Sequence, residues 1–501
     1  MANPFHESSP EAAAHPPDAS GDITLMLRTG KGATLNLGTD SLLVLEDEPV
    51  TKRTSSCGLP LKRRARSPTK SIPYSDILWV SHMSTQVTIT YAVHPTSSTA
   101  RPILTSYQID KTALDNVETW VARLLSLAYG KALLHKRIKV IINPFGGQGK
   151  AAKYYLRDIE PIFAGASCTI SVEQTEYHGH GVEIAQALDV EAWDVVACCS
   201  GDGVPYEVFN GLAKKPNAAY ALSKIAVVQL PCGSGNSMSL NLAGTDSPSL
   251  AALRVVKGVR TPLDLMSITQ GDQRTLSFLS QSYGQIAESD LATEHLRWMG
   301  AERFTYGMVT RILRKATYPC DIAICTAIKD KEDIKSFYLE QTTQPIEKSW
   351  KRPAVGEDAP LPPLRFGTIN DPIPESWETN PEDKMAMFIA GTMAYLAPDT
   401  KIFPASLPYD GHIDLVRMYS DVPRLQAFKC MGAVANDTWF QQKYVSYEKV
   451  VAYRLIPKNQ EDGYISIDGE RVPFQPFQVE IHQGLGTVLS CNGLIYEAKG
   501  P

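Results

Sequence analysis

The apolar positions change period along the chain, and each change marks a boundary. Between residues 23 and 130 they come in short runs, Ile23–Leu27, Ser41–Leu45, Ile77–Val80 and Val87–Tyr91, which predict strands. The region closes on a helical repeat over Asp115–Tyr129, with Val117, Trp120, Val121, Leu124 and Leu125 on one face. Strands followed by one helix predict a small β region. The segment Thr51–Ser71 interrupts it with Lys52, Arg53, Lys62, Arg63, Arg64, Arg66 and Lys70 among prolines and serines, and predicts a surface loop. Residues 1–22 carry no periodicity and predict a disordered tail.

From 131 to 262 the pattern alternates. Ile138–Ile142 is a continuous apolar run, expected of a strand buried on both faces. A glycine-rich turn follows, then Ala152, Tyr155, Leu156 and Ile159 at helical spacing. Cys168–Val172, Asp194–Cys199 and Ile225–Leu230 predict further strands, with helices at Val182–Leu188 and from Pro205. This strand–helix alternation predicts an α/β domain with a parallel sheet covered by helices. From 263 to 501 strand-like runs dominate: Leu263–Ile268, Thr275–Gln281, Ile322–Thr326, Met385–Ala390, Ile413–Met418, Val450–Leu455, Ile465–Ile467, Val479–Ile481 and Thr487–Ser490. One helical pattern, Phe304–Lys315, breaks the series. The prediction is a larger antiparallel β-rich domain, with a proline- and charge-rich surface insertion over 330–384.

Composition narrows the function. The formal net charge of −5 gives the chain no basic footprint for nucleic acid. The nine cysteines form no CxxC pair, so neither a zinc site nor a disulfide framework is indicated, and a reducing cytoplasm is expected. The N-terminus lacks the basic and apolar regions of a signal peptide. No stretch approaches the roughly 20 apolar residues that cross a bilayer.

The candidate chemistry lies in three glycine-rich turns, each after a predicted parallel strand: Asn143-Pro-Phe-Gly-Gly-Gln-Gly-Lys150, Ser200-Gly-Asp-Gly203 and Pro231-Cys-Gly-Ser-Gly-Asn236. In open α/β sheets ligands bind beyond the carboxyl ends of the strands, and successive backbone N–H groups at such turns hold phosphate. One such turn is commonly only a tight connection; three in one domain point to a nucleotide. The spacing around Lys150 does not fit GxxxxGK[ST], which argues against a P-loop. Asp202, between two glycines, is either a cap for the helix at Pro205 or the oriented acceptor that a hydroxyl needs in phosphoryl transfer. His178 and His180 lie two apart among glycines without a third candidate ligand, so no metal ligand is assigned.

The turns NPFGGQGKA, SGDG with Glu207 and Asn210-Gly211, and LPCGSGN resemble the diacylglycerol-kinase catalytic fold of lipid kinases, and within it the sphingosine (long-chain base) kinases. The resemblance extends to Gly284–Leu291, Leu296–Phe304, Asp410-Gly411 with Asp414-Leu415, and Ile467–Glu470. The N-terminal region resembles only loosely a pleckstrin-like domain. The resemblance implies ATP as co-substrate, with Asn143, Gly146, Gly147, Thr175, Ser200, Gly201, Gly203, Glu207 and Ser234 about the nucleotide. It further implies Arg297 and Arg303 as phosphate clamps, Gly469 and Glu470 closing the nucleotide site, Asp202 as base and Asp290 holding a sphingoid head group. Mg²⁺ is implied through the phosphates, with few protein ligands. Each has a plainer alternative: Thr175 ends a strand, Glu207 is a first-turn acid, the arginines are solvated, Asp290 caps a helix, and Asp410 and Asp414 are structural turn residues.

The expected substrate is a sphingoid base, because a second acid near Asp202 favours a lipid that carries an ammonium. Ceramide, diacylglycerol and NAD kinases are the enzyme alternatives, and a lipid-binding scaffold the non-enzyme one. Three positions depart from the family pattern: Cys232, Pro205-Tyr206 and the turn Tyr177–Gly181. A lipid enzyme of this kind is expected to sit peripherally on anionic membrane, with the basic segment 51–71 as a membrane contact, a nuclear-import signal or a solvated loop.

Overall fold

The computed structural model describes residues 25–30, 33–46, 69–293, 302–344, 350–493 and 495–501. The predicted tail, most of the basic segment and Arg297 therefore lie outside the described residues. The described residues fall into two compact units, one drawn from positions up to Tyr74 with Val80–Thr88 and Ser106–Leu127, the other from Ser75–Trp79, Ile89–Thr105 and Ala128–Pro501.

The N-terminal strands β1 (Met26–Arg28), β2 (Ala33–Leu37), β3 (Ser41–Glu46) and β4 (Thr69–Pro73) pair in sequence order as an antiparallel sheet. Thr69, Lys70 and Ser71 belong to β4, so the predicted loop ends earlier than its composition suggested; they pair in turn with Leu45, Val44 and Leu43. β5 (Ile77–Met83), β6 (Gln86–Thr96) and β7 (Thr99–Gln108) form a three-stranded sheet. Helix α1 (Val117–Tyr129) buries Val117, Trp120 and Leu124, the face its period predicted.

The α/β region contains β8 (Arg137–Ile142), β9 (Thr169–Gln174), β10 (Val195–Ser200) and β11 (Ala226–Pro231). They form a parallel sheet in the order β11-β10-β8-β9. Its helices are α2 (Ala151–Tyr154), α3 (Glu160–Gly165), α4 (His180–Ala187), α5 (Gly203–Ala213), α6 (Ala218–Lys224), α7 (Ser237–Ala243) and α8 (Pro248–Lys257), with a π turn joining α2 to α3. Every residue of β10 and β11 is buried, which is why both read as largely apolar runs, broken in β11 only by Gln229 and in β10 by the terminal Ser200.

The β-rich region follows. β12 (Val259–Gln270), β13 (Gln273–Ser277), β14 (Ser280–Gly284), β15 (Cys320–Ile328), β16 (Glu378–Glu382) and β17 (Met385–Gly391) join β20 (Ile413–Tyr419), β21 (Ser446–Pro457), β22 (Ile465–Ile467), β23 (Glu470–Val472) and β24 (Phe477–Ser490) in one large antiparallel sheet. A small hairpin, β18 (Tyr395–Ala397) with β19 (Thr400–Lys401), stands apart. Helices α9 (Gln285–Leu291), α10 (Glu302–Arg314), α11 (Lys331–Thr343) and α12 (Arg424–Ala435) complete it. The run Thr275–Gln281 is two strands rather than one, because the amides of Phe278, Leu279 and Ser280 turn to a buried carboxylate. The expected insertion is structured at both ends: α11 buries Ile334 and Tyr338, and β16 pairs with β15. An apolar core running from Ile141, Val196 and Val227 to Leu263, Phe278 and Val488 binds the α/β and β-rich regions together.

Candidate active site

β10 lies between β8 and β11, so the parallel register brings the three glycine turns side by side at one sheet edge. The turns are stitched through their backbones. Asn143 N donates to Cys199 O at 3.1 Å, Cys232 N to Ser200 O at 3.1 Å, and Asp202 N to Gly235 O at 3.2 Å. Asn143 also shapes its own turn, its Oδ1 accepting from Phe145 N at 2.9 Å and Gly146 N at 3.0 Å. Side chains are excluded where turns meet. A Cβ on Gly233 would lie 2.2 Å from the amide nitrogen of Gly201 and 2.3 Å from its Cα. Gly147 has φ +59°, and a Cβ there would press on Cys232 O and Gly233 at 3.1 Å. Ser234 and Gly147 stand exposed at the tips, and Ser200 is buried with its hydroxyl turned back to Gly201 O at 2.7 Å.

Asp202 sits at the N-cap position of α5 but makes no side-chain cap there. Its carboxylate crosses instead to the start of α7. Oδ2 accepts from Ser237 N at 3.0 Å, and Oδ1 from Met238 N at 3.0 Å and Gln229 Nε2 at 3.1 Å. Burial pushes its pKa above the ordinary carboxylate range, opposed by these donors, which favour the ionised form. The carboxylate thus ties the second turn to the third.

Glu207, buried one turn into α5, faces another way. Its two oxygens accept from Gly179 N at 2.9 Å and Gly181 N at 2.8 Å, with His178 Nδ1 at 3.6 Å. It therefore braces the turn Tyr177–Gly181 at the start of α4, where Gly179 has φ +88°. Thr175, at the end of β9, is buried, its amide donating to Ile142 O at 2.9 Å.

From the β-rich region, the hairpin β22–β23 turns at Asp468-Gly469, with φ of +49° and +86°. This turn carries Glu470, whose Oε1 lies 3.3 Å from where a Gly203 Cβ would stand. Glu470 thus lies against the second turn. Asp468 fixes the hairpin: its carboxylate accepts from Ser277 Oγ at 2.6 Å, Phe278 N at 3.0 Å, Leu279 N at 3.1 Å and Ser280 N at 2.9 Å. Burial raises it to about 6 despite those donors.

Asp290 on α9 and Arg303 on α10 meet each other. Arg303 Nη2 donates to Asp290 Oδ1 at 3.1 Å, and Nη1 to Asp290 O at 2.7 Å. The expected phosphate clamp and the expected head-group acid are thus an ion pair here. Glu288, one helical turn before Ala292, pairs with Arg311 at 3.0 Å and accepts from the Tyr318 hydroxyl. Asp410 and Asp414 are buried around the Lys449 ammonium, at 2.7 and 3.2 Å. That placement is the structural one.

Sequence reasoning missed Gln229, Asp468 and Glu288. Gln229 had a signal, being the one amide in the apolar run Ala226–Leu230. Asp468 had the Asp-Gly hairpin signature but nothing to show its distant donors.

Glycine turns on adjacent parallel strand ends, closed by a hairpin from an antiparallel region, define a diacylglycerol-kinase type of catalytic fold. Residues 137–268 match the Diacylglycerol kinase catalytic domain, and residues 25–130 a Domain of unknown function (DUF7493). A candidate diacylglycerol kinase of Bacillus anthracis shares the fold, with a TM-score of 0.50 at 16% identity over 71% of this chain and 95% of that one. Sphingoid long chain base kinase 4 of Schizosaccharomyces pombe is 32% identical over 87% of this chain and 91% of its own length. Sphingoid long chain base kinase 5 of Saccharomyces cerevisiae is 35% identical over 74% of this chain, which spans 62% of that protein. Human Sphingosine kinase 1 is 27% identical over 69% of this chain and 88% of its own. The chain belongs to the sphingoid long chain base kinase family.

Proposed function

We propose that this protein transfers the γ-phosphoryl group of ATP to the primary hydroxyl of a sphingoid long-chain base, giving the 1-phosphate. The observation that carries the reading is the Gly-Asp-Gly turn, stitched between two other glycine turns at the strand ends. Phosphoryl transfer has a loose transition state, so positioning and charge stabilisation do most of the work. Backbone amides of the three turns supply both for the phosphates, with Asn143, Gly146, Gly147, Ser200, Gly201, Gly203 and Ser234 around them. Asp202 accepts the hydroxyl proton of the lipid. Glu470 closes the site over Gly203, and Thr175 and Glu207 support its floor.

Mg²⁺ fits this donor set as an ion brought in on the phosphates. Among the described residues no group of three His, Cys, Asp or Glu side chains is built to hold a metal, and Mg²⁺ commonly binds through phosphates, waters and one or two carboxylates. When bound, it neutralises the charge of the transferring phosphates.

Asp290 takes the ammonium of the base in place of Arg303, whose guanidinium is then free to serve phosphate. No helix among the described residues is long and apolar enough to cross a membrane, and a peripheral position on anionic membrane, aided by the basic segment, suits a kinase of lipid. A pleckstrin-like N-terminal region accords with its strands-then-helix order.

The test is labelled ATP with each lipid presented separately. A sphingoid base should accept phosphate at least about 10-fold faster than ceramide or diacylglycerol, the ammonium being the distinguishing charge. Preference for ceramide or diacylglycerol would overturn the substrate, and ATP binding without transfer to any lipid would leave a scaffold.

A further inference from the structure

Strand β11 reads Ala-Val-Val-Gln-Leu-Pro and is buried along its whole length. An amide inside such a strand is costly unless it is hydrogen bonded, so Gln229 needs a reason to be there. It is only 3% exposed. Its Nε2 donates to Asp202 Oδ1 at 3.1 Å and reaches Gly235 O at 3.5 Å, and its Oε1 accepts from Ser239 N at 2.8 Å. One side chain thereby links the acid of the second turn, the backbone of the third turn and the first turn of α7. The backbone amides of Ser237 and Met238 also donate to Asp202, and the Ser237 side chain adds to the support of its ionised form. Those amides hold the carboxylate near α7. Gln229 adds a donor from the strand side, so that Oδ1 carries two bonds and Oδ2 one from a backbone amide.

We infer that Gln229 is the positioning residue for Asp202, fixing which carboxylate oxygen is left to receive the substrate hydroxyl. The inference rests on Asp202 being the acceptor in the proposed reaction. The electrostatics agree with it. Burial raises the pKa of Asp202, and the groups that oppose that rise are Met238, Ser237 and Gln229, none of them charged. The acids on the neighbouring elements face elsewhere: Glu207 on α5 is bound to Gly179 and Gly181, and Glu470 of the β22–β23 hairpin lies against Gly203. Loss of the Gln229 donor therefore favours the protonated, unreactive carboxyl and frees it to rotate.

The experiment compares wild type, Gln229→Met, Gln229→Glu, Gln229→Asn and Asp202→Asn as full chains, each checked for folding by its thermal melt. Turnover of a sphingoid base is measured against pH, with KM for ATP at each point. Gln229→Met keeps the volume and removes the donor. It should leave KM for ATP within about 2-fold, lower kcat about 10-fold, and move the acidic limb of the kcat profile upward. Gln229→Glu places a second acid against Asp202 and should move that limb further. Gln229→Asn keeps the amide one methylene short of its partners, should behave as Gln229→Met does, and decides the matter if the methionine variant does not fold. A folded Gln229→Met or Gln229→Asn with wild-type kcat and acidic limb, beside an inactive Asp202→Asn, overturns the inference. Wild-type turnover in Asp202→Asn instead overturns the reading beneath it, whatever the Gln229 variants do.

Discussion

The α/β region and the β-rich region bring polar groups to the proposed nucleotide site in opposite ways. In the first, the working parts are short stretches of backbone: glycine turns at strand ends, held to one another by main-chain bonds between Asn143 and Cys199, Cys232 and Ser200, and Asp202 and Gly235. In the second, they are buried side chains whose partners lie far off in sequence. Asp468 draws on Ser277 to Ser280. The same mode recurs in the structural cluster of Lys449 with Asp410 and Asp414. A local backbone site tolerates almost no added volume. A long-range side-chain site tolerates volume but fails when one charge or donor is changed, because the rest is left buried and unpaired.

The largest effect should follow from Asp202, where both modes meet. Asp202→Asn removes the acceptor and sets an amide N–H against the donors from Ser237, Met238 or Gln229. Turnover of a sphingoid base should fall by about 100-fold or more, the usual yield of a positioned acid or base. Steady-state kinetics read it, and near-normal kcat would show that Asp202 is only the brace between two turns.

This contrast also explains what could be read from the sequence. The parallel strands, the three turns and Asp202 were legible because each is encoded within about ten residues, by an apolar run followed by glycine. Gly469 and Glu470 were reached only through the family resemblance of Ile467–Glu470. Gln229 was visible as an amide in an apolar strand, yet its role depends on a residue on the next strand. The break between β13 and β14 was not legible, since it is imposed by a carboxylate 188 to 191 positions away. Nor was the pairing of Asp290 with Arg303, which depends on how α9 meets α10. The helical start of the predicted insertion was hidden by its charge, because α11 buries only Ile334 and Tyr338.

The next effect tests the backbone half of the comparison. Gly233→Ala would place a methyl group 2.2 Å from Gly201 N, and neither turn has a flexible side chain to move aside. The turns must separate, and overpacking of this kind costs about 1–3 kcal/mol. Displacing phosphate-binding amides by about 1 Å should raise KM for ATP by about 10-fold or more. Nucleotide titration and thermal melting would both report it; unchanged values would mean that the contact between turns is loose in solution.

The smallest effect, and the sharpest for the β-rich half, concerns Asp468. Burial raises this carboxyl from the ordinary carboxylate range to about 6, while four donors hold its ionised form. At neutral pH it is charged and the β22–β23 turn is fixed. As pH falls through about 6 it takes a proton, at least one donor loses its acceptor, and the turn that carries Glu470 loosens. KM for ATP should therefore rise by about 3-fold on the acid side while kcat changes little, a modest loss of binding rather than of chemistry. Stability should move the other way. A carboxyl whose pKa is higher in the folded than in the unfolded chain favours the folded chain once protonated; that contribution is full below the unfolded pKa and is lost as pH rises through about 6. Acidification through this window thus weakens ATP binding without lowering the melting temperature through this group. Asp468→Asn should carry the weakened binding at every pH and erase its dependence near 6. A variant that keeps both wild-type KM and the wild-type pH profile would show that Glu470 is held by something other than Asp468.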